Sequence, residues 1–183
     1  MKKNYVMVAA LLFLVLGLGN SVPVSKLLKT ADKRGTPENS VLVYGRIAPV
    51  AVMNFLQMDS RFQADRQDVN FLSDYVFCLA PVAPGSFYMA GRVNTDLMGR
   101  YFIADFYTLS GSMWDLRVPS QPGLYYYGSY DFVKSDKKGE RIAMGDSKKE
   151  ELGCLKVLKK ELKKTSWEEV IQKRIDELKG ESK

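Results

Sequence analysis

The sequence predicts a mainly β protein, an antiparallel sandwich of about seven strands followed by a C-terminal two-helix hairpin. Three observations carry that reading. Apolar side chains recur at every second residue from Val41 to Val133, the period of a half-buried strand. Pro84-Gly85 and Pro122-Gly123 each open an aromatic run, as turn chemistry requires where a chain enters a strand. From Lys134 onward lysine and glutamate dominate, and apolar residues return at helical spacing.

The longest strand is expected after Pro122-Gly123, with Leu124, Tyr126, Gly128, Tyr130 and Phe132 on a buried face and Tyr125, Tyr127, Ser129, Asp131 and Val133 on the other. Earlier strands are expected over residues 41–47, 51–56, 74–79, 86–93, 101–107 and 113–118, where β-branched and aromatic residues cluster between turn signals. Ala48-Pro49, Asn94-Thr95-Asp96 and Ser110-Gly111-Ser112 supply turns, and the polar stretch 59–70 reads as an exposed loop or one helical turn. Short strands at such even intervals favour a sandwich over an α/β sheet. In the tail, Ser147 with Glu150 and Thr165 with Glu168 are capping boxes. They precede the stripes Leu152, Leu155, Leu158, Leu162 and Trp167, Val170, Ile171, Ile175, Leu178.

Lys2-Lys3, an apolar run over residues 5–18 and the small or polar Gly19, Asn20 and Ser21 have the order of an export signal. The expected organisation is an export signal over 1–21, a linker over 22–40, the sandwich over 41–133, a second linker over 134–146 and the hairpin over 147–180. The alternative for the first segment is an uncleaved anchor in the inner membrane, since a spanning helix needs about 20 apolar residues and the run approaches that. Both readings put the bulk of the chain outside the cytoplasm, periplasmic or secreted in the first case.

A chain of 183 residues, 46% apolar, supports one principal domain. Its net charge of +6 includes Lys2 and Lys3 of the export segment, too weak a basic character for nucleic acid. The sequence contains no histidine, which removes the usual general base, the usual zinc nitrogen ligand and every Ser-His or Cys-His nucleophile pair.

Four groups are candidates for function. Tyr125 and Tyr127 lie on the expected outer face of the long strand and suit stacking on a sugar or peptide; the plainer reading packs alternate tyrosines in the core and pairs the rest across strands. Cys78 and Cys154 either form a disulfide pinning the hairpin to the sandwich, as an oxidising compartment allows, or are separate buried thiols. Lys156, Lys159, Lys160, Lys163 and Lys164 form a basic strip that suits lipid headgroups or an acidic partner, or is simply a solvated helix face. Asp105, Asp115 and Asp131 are the carboxylates from which a hydrolase would have to be built, and nothing in their spacing pairs them.

Val41-Leu42-Val43-Tyr44-Gly45-Arg46, Pro84-Gly85-Ser86-Phe87-Tyr88 and Pro122-Gly123-Leu124-Tyr125-Tyr126-Tyr127-Gly128 together resemble the small exported transthyretin-like β-sandwich proteins of bacterial envelopes, over about residues 41–133. The closing helices, with Leu155, Thr165-Ser166-Trp167-Glu168 and Ile175-Asp176-Glu177-Leu178, are similar to tails of spirochaete envelope proteins. Many members of the first group are lipoproteins, whereas this chain has no lipid-accepting cysteine near the expected cut. The resemblance implies a fold and a compartment and brings no catalytic residue. The expectation is therefore a non-catalytic, cofactor-free envelope protein whose β module binds a partner protein, glycan or lipid or has a structural role. A membrane-anchored structural protein and a carboxylate-dependent hydrolase are the alternatives.

Overall fold

Val41–Ala48 (β1) buries all its residues except the half-buried Arg46. A strand apolar on both faces needs cover on both sides, and the fold is organised around supplying it. The computed structural model describes residues 31–48, 50–58, 64–97, 100–105, 115–134, 139–143 and 147–180. The export segment expected over 1–21, and the expected linker before residue 31, lie outside these residues.

The described elements after one helical turn, α1 (Ala31–Arg34), are β1, β2 (Val50–Met58), β3 (Ala64–Phe71), a 3-10 turn at Ser73–Tyr75, β4 (Val76–Leu79), β5 (Phe87–Leu97), β6 (Arg100–Asp105), β7 (Leu116–Arg117), β8 (Gly123–Lys134), β9 (Gly139–Ala143), α2 (Ser147–Glu161) and α3 (Trp167–Gly180). Neighbouring strands run β6-β5-β2-β3-β4-β1-β8-β9, with β7 on β5. β3 turns the corner of this path: its first residues pair with β2 and Val69 to Phe71 pair with β4. Strands that change partners in this way let a sheet fold over its own core.

Two apolar layers result. Val41, Val43 and Ile47 of β1, Phe77 and Leu79 of β4 and Tyr127 of β8 meet Met53 and Phe55 of β2, Tyr88 of β5 and Leu116 of β7. The Phe55 and Tyr127 rings stand edge to face at 6.2 Å although their strands are not sheet neighbours. On the opposite face Leu42, Tyr44, Val76 and Cys78 meet Leu155, Leu158, Leu162, Trp167, Ile171, Ile175 and Leu178 of the helices and the following turn. Full burial contributes about 1.5–3 kcal/mol for each large aliphatic or aromatic side chain. The hairpin is thus the third layer of the body rather than an appendage.

The mainly β class with two C-terminal helices matches the sequence reading, and five of its details are corrected. Nine strands occur among the described residues, and the sheet is mixed because β1 and β8 pair in parallel from Val41 and Gly123 onward. The stretch read as a loop holds β3, a polar strand fixed by backbone pairing on both edges, which apolar periodicity does not report. The turn expected at residues 94–96 lies inside β5, which pairs with β6 as far as Leu97. The linker expected over 134–146 contains β9, paired with β8 from Tyr130 to Lys134. Residues 31–40 are not loose either: Ala31 is buried in the helix-side layer, and Ser40 carries the chain into β1, its carbonyl accepting the Gly123 N–H at 2.9 Å.

One expectation holds closely. The Ser86 N–H donates to the Ala83 carbonyl at 3.3 Å around Pro84-Gly85, and β5 follows at once.

Candidate functional site

Of the two readings of Tyr125 and Tyr127, the stacking surface does not form. Pairing of β8 with β1 slips between Tyr44↔Tyr126 and Gly45↔Gly128, leaving Tyr127 as the extra residue of a bulge. Gly128 takes the positive φ of 118° that this irregularity demands. The side-chain parity inverts there: Leu124, Tyr126 and Ser129 face the helices, whereas Tyr125, Tyr127 and Tyr130 face the first core. Tyr127 is buried among Phe55, Phe77 and Tyr130 rings, and Tyr125 is half-buried against the same cluster. Both faces of β8 are covered, so the plainer core reading of Tyr125 and Tyr127 applies.

Cys78 and Cys154 lie in the same helix-side layer as free thiols, so of the two readings the separate buried thiols apply and the disulfide does not form. Burial pushes Cys78 up to about 12 and Cys154 to about 11, so both stay protonated and unreactive near neutral pH. Among the expected carboxylates, Asp131 is exposed on β8 beside Ala48 and Ile142, Asp115 is half-buried before β7, and Asp105 pairs with Arg92 at the far end of the strand path. They sit on three separate strand regions. In the lysine strip, Lys156, Lys160, Lys163 and Lys164 are exposed, and Lys159 Nζ donates to the Gln172 side chain.

The structure assembles a polar centre that apolar patterning passed over. Glu151 lies on the buried stripe of α2. Its Oε1 accepts the Tyr44 hydroxyl at 2.8 Å and Arg174 Nε at 2.9 Å, and its Oε2 accepts Arg174 Nη2 at 3.2 Å. Arg174 also reaches Glu177 at 3.3 Å. Burial, then the Glu151 charge, raises the Tyr44 phenol well above its ordinary value, and the bonds to Glu151 raise the Arg174 guanidinium. A buried carboxylate is tolerable only when its oxygens are satisfied in this way. The sequence did hold a signal: Glu151 precedes Leu155, Leu158 and Leu162 at the spacing of one helix face.

Beside this centre opens a cleft of about 270 Å3 lined by Arg46, Asp74, Val76, Lys149, Glu150, Gly153, Cys154 and Val157. Its rim is unusual backbone. Asp74 and Tyr75 have φ of 56° and 59°, left-handed values that cost non-glycine residues of order 1 kcal/mol or more each. Arg46 Nε holds the turn by donating to the Asp74 carbonyl at 3.1 Å, and the Leu72 N–H closes it on Val76 at 2.6 Å. Tyr75 is left 44% exposed. The cleft thus offers two cations, two carboxylates and apolar walls at Val76 and Val157, and the exposed Tyr75 lies in sequence between its lining residues Asp74 and Val76.

A second, shallower groove of about 750 Å3 runs along the hairpin between Lys159 and Glu168, Glu169, Gln172, Lys173, Asp176 and Glu177. No group of three His, Cys, Asp or Glu side chains able to hold a metal ion occurs among the described residues, and no helix there is long and apolar enough to cross a membrane. Compared with protein-family models, curated proteins and solved structures, the chain matches none of them significantly.

Proposed function

We propose that this is an exported, non-catalytic protein of a bacterial envelope, a sandwich-like β body of the transthyretin-like kind that binds a partner through the cleft beside α2. The observation that carries the binding reading is the left-handed backbone of Asp74 and Tyr75, tied by Arg46 at the edge of a mixed-charge cleft, with the exposed Tyr75 set between the lining residues Asp74 and Val76. Strain of this kind persists where the surrounding structure over-determines it, and it concentrates at ligand clamps. Two sheet halves closing over one core support the sandwich-like description. The non-catalytic reading is supported by the use of the buried carboxylate Glu151 and both thiols as packed, satisfied or protonated groups, together with a sequence free of histidine. Export rests on the order of charge, apolar run and small residues before residue 22.

Two experiments test this. Sequencing the N-terminus of the protein recovered from fractionated cells checks export: a mature start near residue 20 in the envelope fraction agrees, a start at Met1 there favours the anchored form, and recovery from the cytosol refutes both. Capture of envelope components by the wild type and by Tyr75→Ala checks the cleft. Equal recovery of every partner by the two forms removes it as the binding site.

A further inference from the structure

The interior of α2 carries a glycine that folding does not ask for, Gly153. Glycine is the poorest helix former after proline, so a glycine inside a helix needs a packing or functional reason. The conformational reason fails, because Gly153 is not among the residues with positive φ and an ordinary helical backbone accepts alanine. The packing reason fails as well. A Cβ placed on Gly153 meets no described atom within 4 Å, whereas one on Gly45 would meet the Gly128 carbonyl at 2.4 Å. Gly180 is equally open, but it ends α3, where glycine is a common terminator.

Gly153 lines the cleft beside α2. Glu150, Gly153 and Val157 are spaced i, i+3 and i+7 and so share one face of the helix. That face meets Arg46 of β1 and Asp74 and Val76 at the entry to β4. Between Glu150 and Val157 the helix therefore presents bare backbone, half-buried, to the space between α2 and the sheet. Glycine in such a place lets a ligand approach the main chain closely.

Size and charge select the occupant. A volume of about 270 Å3 lies just below the range of about 300–1,000 Å3 typical of small-molecule sites, which suits one side-chain-sized group rather than an oligosaccharide or a lipid chain. Two cations and two carboxylates on the lining balance formally, which favours a neutral group over an ion of either sign. A flat ring covers a strip of bare backbone flanked by valines with few rotatable bonds to freeze. Aromatic anchors seated in pockets with polar surrounds carry much of the energy of protein interfaces.

We propose that the cleft takes a single aromatic side chain of a partner polypeptide, its ring lying on the α2 backbone at Gly153 between Val76 and Val157. This inference rests on the cleft reading above and adds to it the chemical class of the partner and the residue that admits it.

The test is titration of the 15N-labelled full-length protein with the capped tripeptide Gly-Trp-Gly, with capped Gly-Leu-Gly and maltotriose as comparators. The amide resonances of Gly153, Cys154 and Val157 are followed. The tryptophan peptide should shift them saturably with a Kd on the order of 1 mM, as a lone ring allows. The comparators should bind at least about fivefold more weakly, the share that ring contacts add beyond area. Gly153→Ala should raise Tm by about 2–4 °C through helix propensity and yet weaken the tryptophan peptide about tenfold by occupying the contact. Gly153→Leu restores a good helix former and should keep the fold while abolishing the response. The proposal is overturned by no response to the tryptophan peptide, by an equal response to either comparator, or by unchanged affinity in Gly153→Ala. A lower Tm in Gly153→Ala also overturns it, since packing would then be what requires the glycine. Capture by Tyr75→Ala reads the cleft without reference to Gly153: partners lost there with no tryptophan response remove this inference alone, and equal capture removes the cleft itself.

Discussion

Replacing Glu151 by alanine strikes the point where sheet and helices share a charge. The change leaves the Tyr44 hydroxyl and the Arg174 guanidinium without the oxygens that now accept them at 2.8 and 2.9 Å. Breaking a buried pair by removing one partner costs about 3–5 kcal/mol. The Arg174 side chain is 35% exposed and can turn toward water, so about 2–3 kcal/mol is expected here. For a chain of this size that lowers Tm by about 5–10 °C. Tyr44→Phe alone should cost about 1.5–3 kcal/mol, the worth of a hydrogen bond to a charged group. Because the two residues touch, the double variant should fall short of additivity by about 1–2 kcal/mol. Urea unfolding of the four proteins, followed by far-ultraviolet circular dichroism, measures the cycle. A Glu151→Ala loss below about 0.5 kcal/mol, the level of an ordinary surface substitution, would refute the assignment of Glu151 as a desolvated shared acceptor.

Other outcomes follow from the same geometry. Stability should be full below pH 9 and fall above it, because the unfolded chain then releases thiol protons that folded Cys78 and Cys154, raised from 9.0 to about 12 and about 11, retain. At about 1.4 kcal/mol per pH unit and group, the loss approaches 5 kcal/mol by pH 11, with Tyr44 steepening it above pH 10; a Cys78→Ala, Cys154→Ala protein whose denaturant midpoint falls as steeply over pH 9–10 would contradict this. Gly45→Ala places a Cβ 2.4 Å from the Gly128 carbonyl and 2.9 Å from the Phe77 ring, and should destabilise by about 3 kcal/mol or prevent folding, as read by thermal melting. Asp32→Ala removes the acceptor for Ser166 at a cost of about 1 kcal/mol, and limited proteolysis should then cut within residues 31–40 faster than in the wild type.

Period-two runs with both faces apolar made β1 and β4 legible, and helical stripes made α2 and α3 legible with their ends nearly correct. Thr165 and Glu168 also do cap α3, though shifted by a residue: Thr165 Oγ1 accepts the Trp167 N–H at 3.3 Å and Glu168 takes the Lys164 N–H. The polar strand β3 was not legible, because hydrogen bonds to two neighbouring strands fix it and hydrophobicity does not record backbone pairing.

The candidate site was legible only in parts. Arg46, Asp74 and Cys154 come from three elements that the linear order keeps apart, and their shared cleft exists because α2 docks across β1 and β4. The sequence by itself determined where apolar material had to be buried and with which rhythm. Tertiary structure decided which tyrosines that burial consumed, because a single extra residue at Tyr127 inverts the faces of β8 and no local pattern announces a bulge set by the partner strand. It decided likewise that α1 rests on the turn between α2 and α3, through bonds between residues 134 positions apart.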